Sequence, residues 1–259
     1  MPPSHNVAPL RGRGRKSPPA PRPDWAWFFD IDGTLVEIAS TPWGIIMDDE
    51  MPKLMRRLNT WAGGAVALVT GRAIDAVDDL LPLPAMPIAG QHGLEVRTAT
   101  GKRIAHALAA DNLEHVRELL ADAVRRHPAL ILEHKGLSLA LHYRDAPRLA
   151  GYSHRLMRSL RRTYLPDFDI QRGKRVVELR PAGKDKGIAI RELMTDAPFA
   201  GRVPVFIGDD VTDEIAFQTV NAMEGHSIKI GRGSTNARWR IGDVVSLRRW
   251  LATALEDAT

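Results

Sequence analysis

The stretch Trp25-Ala26-Trp27-Phe28-Phe29-Asp30-Ile31-Asp32-Gly33-Thr34-Leu35 decides the fold class. An apolar run that ends directly in acid reads as a short strand buried on both faces. Two carboxylates then sit two residues apart where the strand stops, and Gly33 permits a sharp turn that folds them toward one point. Ligands of open α/β sheets bind outside the carboxyl ends of the strands. This stretch therefore predicts both a parallel sheet and the place where its chemistry lies.

Outward from it, the same alternation continues. Asp49–Trp61 carries Met51, Leu54, Met55, Leu58 and Trp61 at helical spacing, Ala65–Val69 reads as a strand and Arg72–Leu81 as a helix. Pro87–Gly90, Val203–Ile207 and Ser227–Ile230 read as further strands, the last two separated by a helix over Thr212–Val220. Strands alternating with amphipathic helices imply a Rossmann-like, doubly wound α/β sheet. The middle differs: a helix near Asp111–His127 precedes strands Leu130–Glu133 and Leu137–Tyr143, and a helix near Pro147–Tyr164 precedes Phe168–Gln171 and Val176–Leu179. Helix and hairpin, twice over, describe a separate α+β module inserted into the main domain. The expected division is a tail at 1–23, a core at 24–95 and 179–259, and the insert at 96–178.

Composition narrows the function. The chain has 259 residues, 44% hydrophobic and 26% charged, with no apolar run near the ~20 residues that span a bilayer. It has no cysteine, which excludes disulfides, thiolate metal sites and cysteine nucleophiles and fits a reducing, cytoplasmic setting. The net charge is +5, yet the tail alone holds Arg11, Arg13, Arg15, Lys16 and Arg22 and no acid. The remainder is neutral, which argues against a nucleic-acid partner. The Pro-, Gly- and Arg-rich tail reads as a disordered, dispensable extension without a secretory h-region.

Three more segments fall at strand ends or helix starts. Val69-Thr70-Gly71-Arg72 offers a hydroxyl and backbone N–H groups suited to phosphate oxygens. Gly183-Lys184-Asp185-Lys186-Gly187 opens a helix with a cation for phosphate, and Gly208-Asp209-Asp210-Val211-Thr212-Asp213-Glu214 ends a strand with carboxylates enough to complete a magnesium site. Singly these are commonplace; an acid pair, a hydroxyl, a lysine and an acid cluster in this order are not.

With these residues the sequence resembles the haloacid dehalogenase superfamily of phosphotransferases, and more narrowly the bacterial trehalose-6-phosphate phosphatases. Glu133–Arg144, Val176–Pro181, Gly208–Glu214 and the Lys229-Ile230-Gly231-Arg232-Gly233 string carry the narrower likeness. The insert then corresponds to that family's cap domain. The resemblance implies that Asp30 attacks phosphorus to form an aspartyl-phosphate, while Asp32 protonates the leaving sugar oxygen and later activates water. It further implies Mg²⁺ on Asp30, the backbone carbonyl of Asp32, and Asp209, with Asp210 and Asp213 orienting the groups around it. Thr70 and Lys186 would bind the phosphoryl oxygens; Lys184 competes with Lys186.

Specificity must come from the cap, since the core motifs see only phosphate. Glu133, Lys135 and Glu178 match the family's sugar-contacting positions, and the implied partner is a small molecule, trehalose 6-phosphate, acted on by a monomer. Arg72 is placed with the substrate-binding residues, although capping or a structural hydrogen bond explains it and His92 equally well. His134 and His142 receive no ligand role, and Trp43, Trp61, Trp239 and Trp250 read as packing residues. Three alternatives stand beside this reading. One is a phosphatase of another sugar phosphate, of the sucrose-phosphate or mannosyl-phosphoglycerate type. A signalling receiver domain is disfavoured by the acid spacing and the chain length, and a nucleic-acid binder by the neutral body.

Overall fold

Strand β1 (Trp25–Phe29) lies in the middle of the main sheet, and all of its residues are buried. In this computed structural model the structure describes residues 17–37, 50–80, 86–105 and 112–256; the tail up to residue 16, Trp43, Asp49, Leu81 and Asp111 lie outside them. After β1 come α1 (Glu50–Trp61), β2 (Val66–Val69), α2 (Ile74–Leu80), β3 (Ile88–Gly90), β4 (Glu95–Arg97) and β5 (Arg103–Ala105). The middle of the chain forms α3 (Leu113–Arg126), β6 (Ile131–His134), β7 (Leu139–His142), α4 (Ala150–Tyr164), β8 (Phe168–Gly173) and β9 (Val176–Pro181). The chain then adds α5 (Lys186–Leu193), β10 (Val203–Gly208), α6 (Glu214–Ala222), β11 (His226–Ile230), β12 (Trp239–Ile241) and α7 (Val244–Glu256).

The large sheet has the order β12-β11-β10-β1-β2-β3-β4-β5, parallel from β12 to β3. Because side chains alternate along a strand, β1 feeds two cores. Trp25, Trp27 and Phe29 pack with Met51, Met55 and Leu58 of α1 and Leu247 and Leu251 of α7. Ala26 and Phe28 face the other way, onto Ile190 of α5 and Phe217 and Val220 of α6. Each such fully buried large side chain contributes roughly 1.5–3 kcal/mol. Helices therefore cover both faces, as the alternating pattern requires. Among the described residues no helix is long and apolar enough to cross a membrane.

Two limits of the inserted module differ from expectation. Residue 96 falls inside β4, which pairs antiparallel with β3 (Ala89 opposite Val96), and β5 pairs with β4, so both belong to the large sheet. These short strands carry charge and sit at the sheet edge, so no apolar run announces them. At the other end β9 continues to Pro181 within the small sheet, past the expected limit at 178. Trp239, expected in packing, is half-buried on the edge strand β12 beside His226 and does pack against the core, as do Trp61 and Trp250.

The small sheet is antiparallel throughout, in the order β6-β7-β9-β8. One face, with Leu139, Leu141, Val177 and Leu179, packs on Val116 and Leu120 of α3 and Met157 and Leu160 of α4. The alternate residues point away from these helices, toward the ends of β1 and β10. Register there matters: Glu133 lies opposite Ala140, Ala140 opposite Glu178, and Glu178 opposite Gln171. One row across four strands thus presents two acids and an amide around a small residue.

Candidate active site

The turns after β1 and β10 come together because the two strands are direct neighbours. Gly33, at φ 77°, makes the contact possible: a Cβ there would lie 2.4 Å from the Asp209 carboxylate. Only glycine combines that backbone with that approach. Asp30, Asp209 and Asp213 consequently offer carboxylate oxygens within 4.8 Å of one another.

Lys186 enters this acid group from α5. Asp185 caps the helix by accepting the Ile188 N–H at 2.8 Å, which fixes Lys186 in the first turn. The buried Lys186 Nζ lies 2.9 Å from Asp30 Oδ1 and 2.6 Å from Asp213 Oδ1. Lys184, the competing lysine, pairs with Glu192 instead. Asp213 has its other oxygen committed as well, accepting the Asp210 N–H at 2.9 Å. It therefore serves to hold Lys186 and the acid turn.

Electrostatics follow from burying several acids around one amine. Burial pushes Asp30 well above the usual carboxylate range, with Asp213, Asp209 and Asp32 adding to the rise and Lys186 opposing it. Burial and Asp213 push Asp209 up to about 6. Burial alone would lower Lys186, but Asp213 and Asp30 hold it above its ordinary value. The site is short of positive charge. Asp209 Oδ1 is buried with no hydrogen-bond partner, while Oδ2 meets Lys174 at 3.1 Å from the β8–β9 turn. An all-oxygen donor set with an orphaned carboxylate oxygen suits a hard divalent cation.

Asp32 is gripped on both oxygens by Arg72, whose Nε and Nη2 donate at 2.7 Å each. Thr70, fully buried, accepts the Arg72 backbone N–H on its hydroxyl at 3.2 Å and lies behind the cleft wall. Asp210 lines the cleft.

Above these groups stands the polar face of the small sheet, closing a cleft of about 190 Å³. Glu133, Lys135 and Glu178 all line it opposite Asp30, Asp32 and Lys186. Ser138 Oγ donates to Glu178 Oε1 at 2.6 Å and Lys135 Nζ to Oε2 at 3.1 Å. Burial would raise Glu178, but Lys135, His92 and Ser138 together hold it well below the usual carboxylate range. Burial likewise opposes Lys135, yet Glu178 and Glu133 keep it raised. The volume falls below the roughly 300–1,000 Å³ of common ligand sites, so the two sheets stand close together.

Several cleft residues had no assigned role. His142 is paired with Glu133 (Nε2 to Oε2, 2.8 Å), and Gln171 and Lys174 come from β8 and its turn. The signal for Gln171 was its alternation with Ile170 on β8, but its neighbour Glu178 emerges only once the strands are paired. Lys174 follows a glycine in a turn and carries no signal. His134 is exposed.

Comparisons with known proteins agree with the geometry. The family model described as trehalose-phosphatase matches residues 28–243. The trehalose-6-phosphate phosphatase of Escherichia coli K12 is 41% identical over 240 residues, covering 90% of this chain and 88% of its own. The trehalose-phosphate phosphatase of Mycobacterium marinum is 34% identical over 208 residues, covering 77% of this chain and 52% of its own. A solved structure described as a trehalose-6-phosphate phosphatase related protein superposes with a TM-score of 0.75 at 26% identity, covering 89% and 97% of the two chains. The C-terminal domain of the C. albicans enzyme reaches 0.80 at 19% identity, covering 90% and 93%, a likeness of fold.

Proposed function

The chain belongs to the trehalose-phosphatase family, and on that premise we propose that it hydrolyses trehalose 6-phosphate to trehalose and inorganic phosphate. The observation that carries this reading is the single cleft in which strand-end acids and a buried lysine face a row of hydroxyl-reading side chains. The core has what phosphoryl transfer needs, and the cap has what a disaccharide offers partners for.

Asp30 is the nucleophile. Its Oδ1 is held by Lys186, so Oδ2 attacks phosphorus in line, forming the aspartyl-phosphate as the ester bond to the sugar oxygen breaks. Lys186 positions the phosphoryl oxygens, and Thr70, buried behind them, holds the Arg72 N–H and with it the turn that faces them. Asp32 delivers the proton to the departing sugar oxygen and then takes one from the water that opens the intermediate. Because Arg72 grips both Asp32 oxygens, it must exchange one of them for a phosphoryl oxygen as the substrate docks. Asp30, Asp209 and the Asp32 backbone carbonyl would hold Mg²⁺, which supplies positive charge to screen a dianion approaching carboxylates. Asp210 and Asp213 orient that set. Glu133, Lys135 and Glu178 read the sugar hydroxyls.

The test is phosphate release from trehalose 6-phosphate, with and without Mg²⁺, beside a panel of other sugar phosphates that includes sucrose phosphate. Trehalose 6-phosphate is expected to have the highest kcat/KM and to require the cation. A better substrate elsewhere in the panel would overturn the disaccharide assignment.

A further inference from the structure

The turn after β3 makes an unusual contact with the cap. Gln91 and His92 both adopt left-handed backbone, at φ 47° and 59°, ahead of Gly93 at 97°. Side chains other than glycine take that conformation at a cost, and two in succession persist only when the surroundings over-determine them. Those surroundings are the phosphate-binding turn: Gln91 N–H donates to Arg72 O and His92 N–H to Thr70 O, each at 2.8 Å. The His92 ring rests on Gly71, where a Cβ would come within 2.7 Å of Nε2. The imidazole is thus clamped to the core.

Its other edge meets the cap. Nε2 lies 2.6 Å from the Gln171 side-chain amide and 3.8 Å from Glu178 Oε2, while Gln91 Oε1 accepts the Leu137 N–H of the β6–β7 hairpin at 3.3 Å. His92 Nδ1 is buried without a partner. The Gln171 amide presents its nitrogen to the ring, and an amide nitrogen only donates, so Nε2 accepts from it and the ring proton sits on Nδ1. Burial holds the ring neutral, lowering it to about 4. Glu178 in turn binds Lys135 and Ser138.

We infer that His92 is a positioning residue for sugar recognition: it holds Gln171, and with it the row that Gln171 shares with Glu178, at a fixed place over Asp30. This rests on the proposed reading of the cleft and adds what aligns its two halves. The sugar is held by one domain and its phosphate by the other, so a misplacement of about 1 Å between them costs on the order of a hundredfold in rate. The strained turn, built onto the same loop that carries Arg72, links the position of the phosphate to that of the hydroxyl readers.

Two replacements separate the ring from the backbone. His92→Gln would place a side-chain amide oxygen near the site of the imidazole Nε2, whereas in His92→Asn the shorter amide tolerates left-handed backbone but cannot reach Gln171. The ratio of kcat/KM for trehalose 6-phosphate to that for an aryl phosphate is expected to fall about tenfold or more in His92→Asn and to recover mostly in His92→Gln. In a Gln171→Ala background, His92→Asn should lower the ratio little further. Equal losses on both esters, no loss on either, recovery by Asn and not by Gln, or full additivity with Gln171→Ala would each overturn the inference. A urea-unfolding cycle on the same pair, which needs no substrate, should show coupling between His92 and Gln171; its absence would overturn the inference too. If the wild type prefers another sugar phosphate, the ratio is taken with that ester, so the disaccharide assignment can fail while His92 stands.

Discussion

Core and cap solve the same problem, placing polar groups in one cleft, by opposite means. The core sets its chemistry at the ends of parallel strands, where chain turns bring Asp30, Asp209 and Lys186 together from distant parts of the sequence. The cap sets its chemistry on the flat of an antiparallel sheet, as a row of side chains in register. Groups at turns are fixed by backbone and come with glycines and caps. Groups on a sheet face are fixed only by which strands pair. The first arrangement suits chemistry common to all phosphate esters, the second suits a substrate-specific surface.

The largest expected effect strikes the core alone. Asp30→Asn should abolish hydrolysis of trehalose 6-phosphate and of an aryl phosphate together, by several orders of magnitude, in continuous phosphate detection. Its thermal stability should hold or rise, because one of several crowded acids is gone. Chelating the divalent cation should likewise silence both esters; activity that persisted after chelation would remove the cation from the reaction.

Next comes the cap. Lys135→Ala or Glu178→Gln should lower kcat/KM for trehalose 6-phosphate about ten- to a hundredfold, the worth of a charged hydrogen bond of roughly 1.5–3 kcal/mol. The aryl ester, which leaves those hydroxyl readers unused, should suffer far less. Equal losses on the two esters would erase the division of labour between the sheets.

The seam between them answers to pH. Burial lowers His92 to about 4 in the folded chain, below its ordinary 6.5. Between those values the unfolded chain binds the extra proton, so stability is full above pH 6.5 and falls as pH drops toward 4, by at most about 3 kcal/mol. Urea unfolding across that range should show a shallower decline in His92→Gln than in wild type. An identical slope would mean that His92 is not buried neutral.

The smallest effect concerns neither sheet. Removing residues 1–23 deletes the Pro23 carbonyl that Arg202 Nη1 contacts at 2.7 Å, while the same nitrogen keeps Trp25 O at 3.4 Å. A stability change within about 1 kcal/mol and unaltered kcat are expected. A large loss of activity in the truncated chain would give the tail a part in catalysis.

How much could be read from the sequence follows the same contrast. Asp30, Asp32, Lys186 and Asp209 were visible because each sits where an apolar run stops or a helix starts, and those boundaries are written in consecutive residues. Glu133, Lys135 and Glu178 came from resemblance; on their own they read as a charged hairpin. Gln171 and His142 stayed hidden because Gln171 gains its meaning from standing opposite Glu178, and His142 from standing beside Glu133. Strands β4 and β5 were missed because an edge hairpin with exposed Arg103 and Ile104 has no apolar alternation to show.

The place of β1 between β2 and β10 bears on how the molecule is made. A chain emerging from its N-terminus can pair β1 with β2 early, from nearby sequence, whereas the β10 side stays bare until residues 203–208 arrive. Meanwhile the strands of the small sheet all lie within residues 131–181 and have an apolar cluster of their own, so the cap can condense first. Closing β10 against β1 spans the whole insert and is the slow, non-local step. Since that pairing also brings Asp209 to Asp30, the proposed catalytic centre is expected to assemble late. On the proposed reading, a nascent chain should turn over phosphate esters only once β10 has joined the sheet.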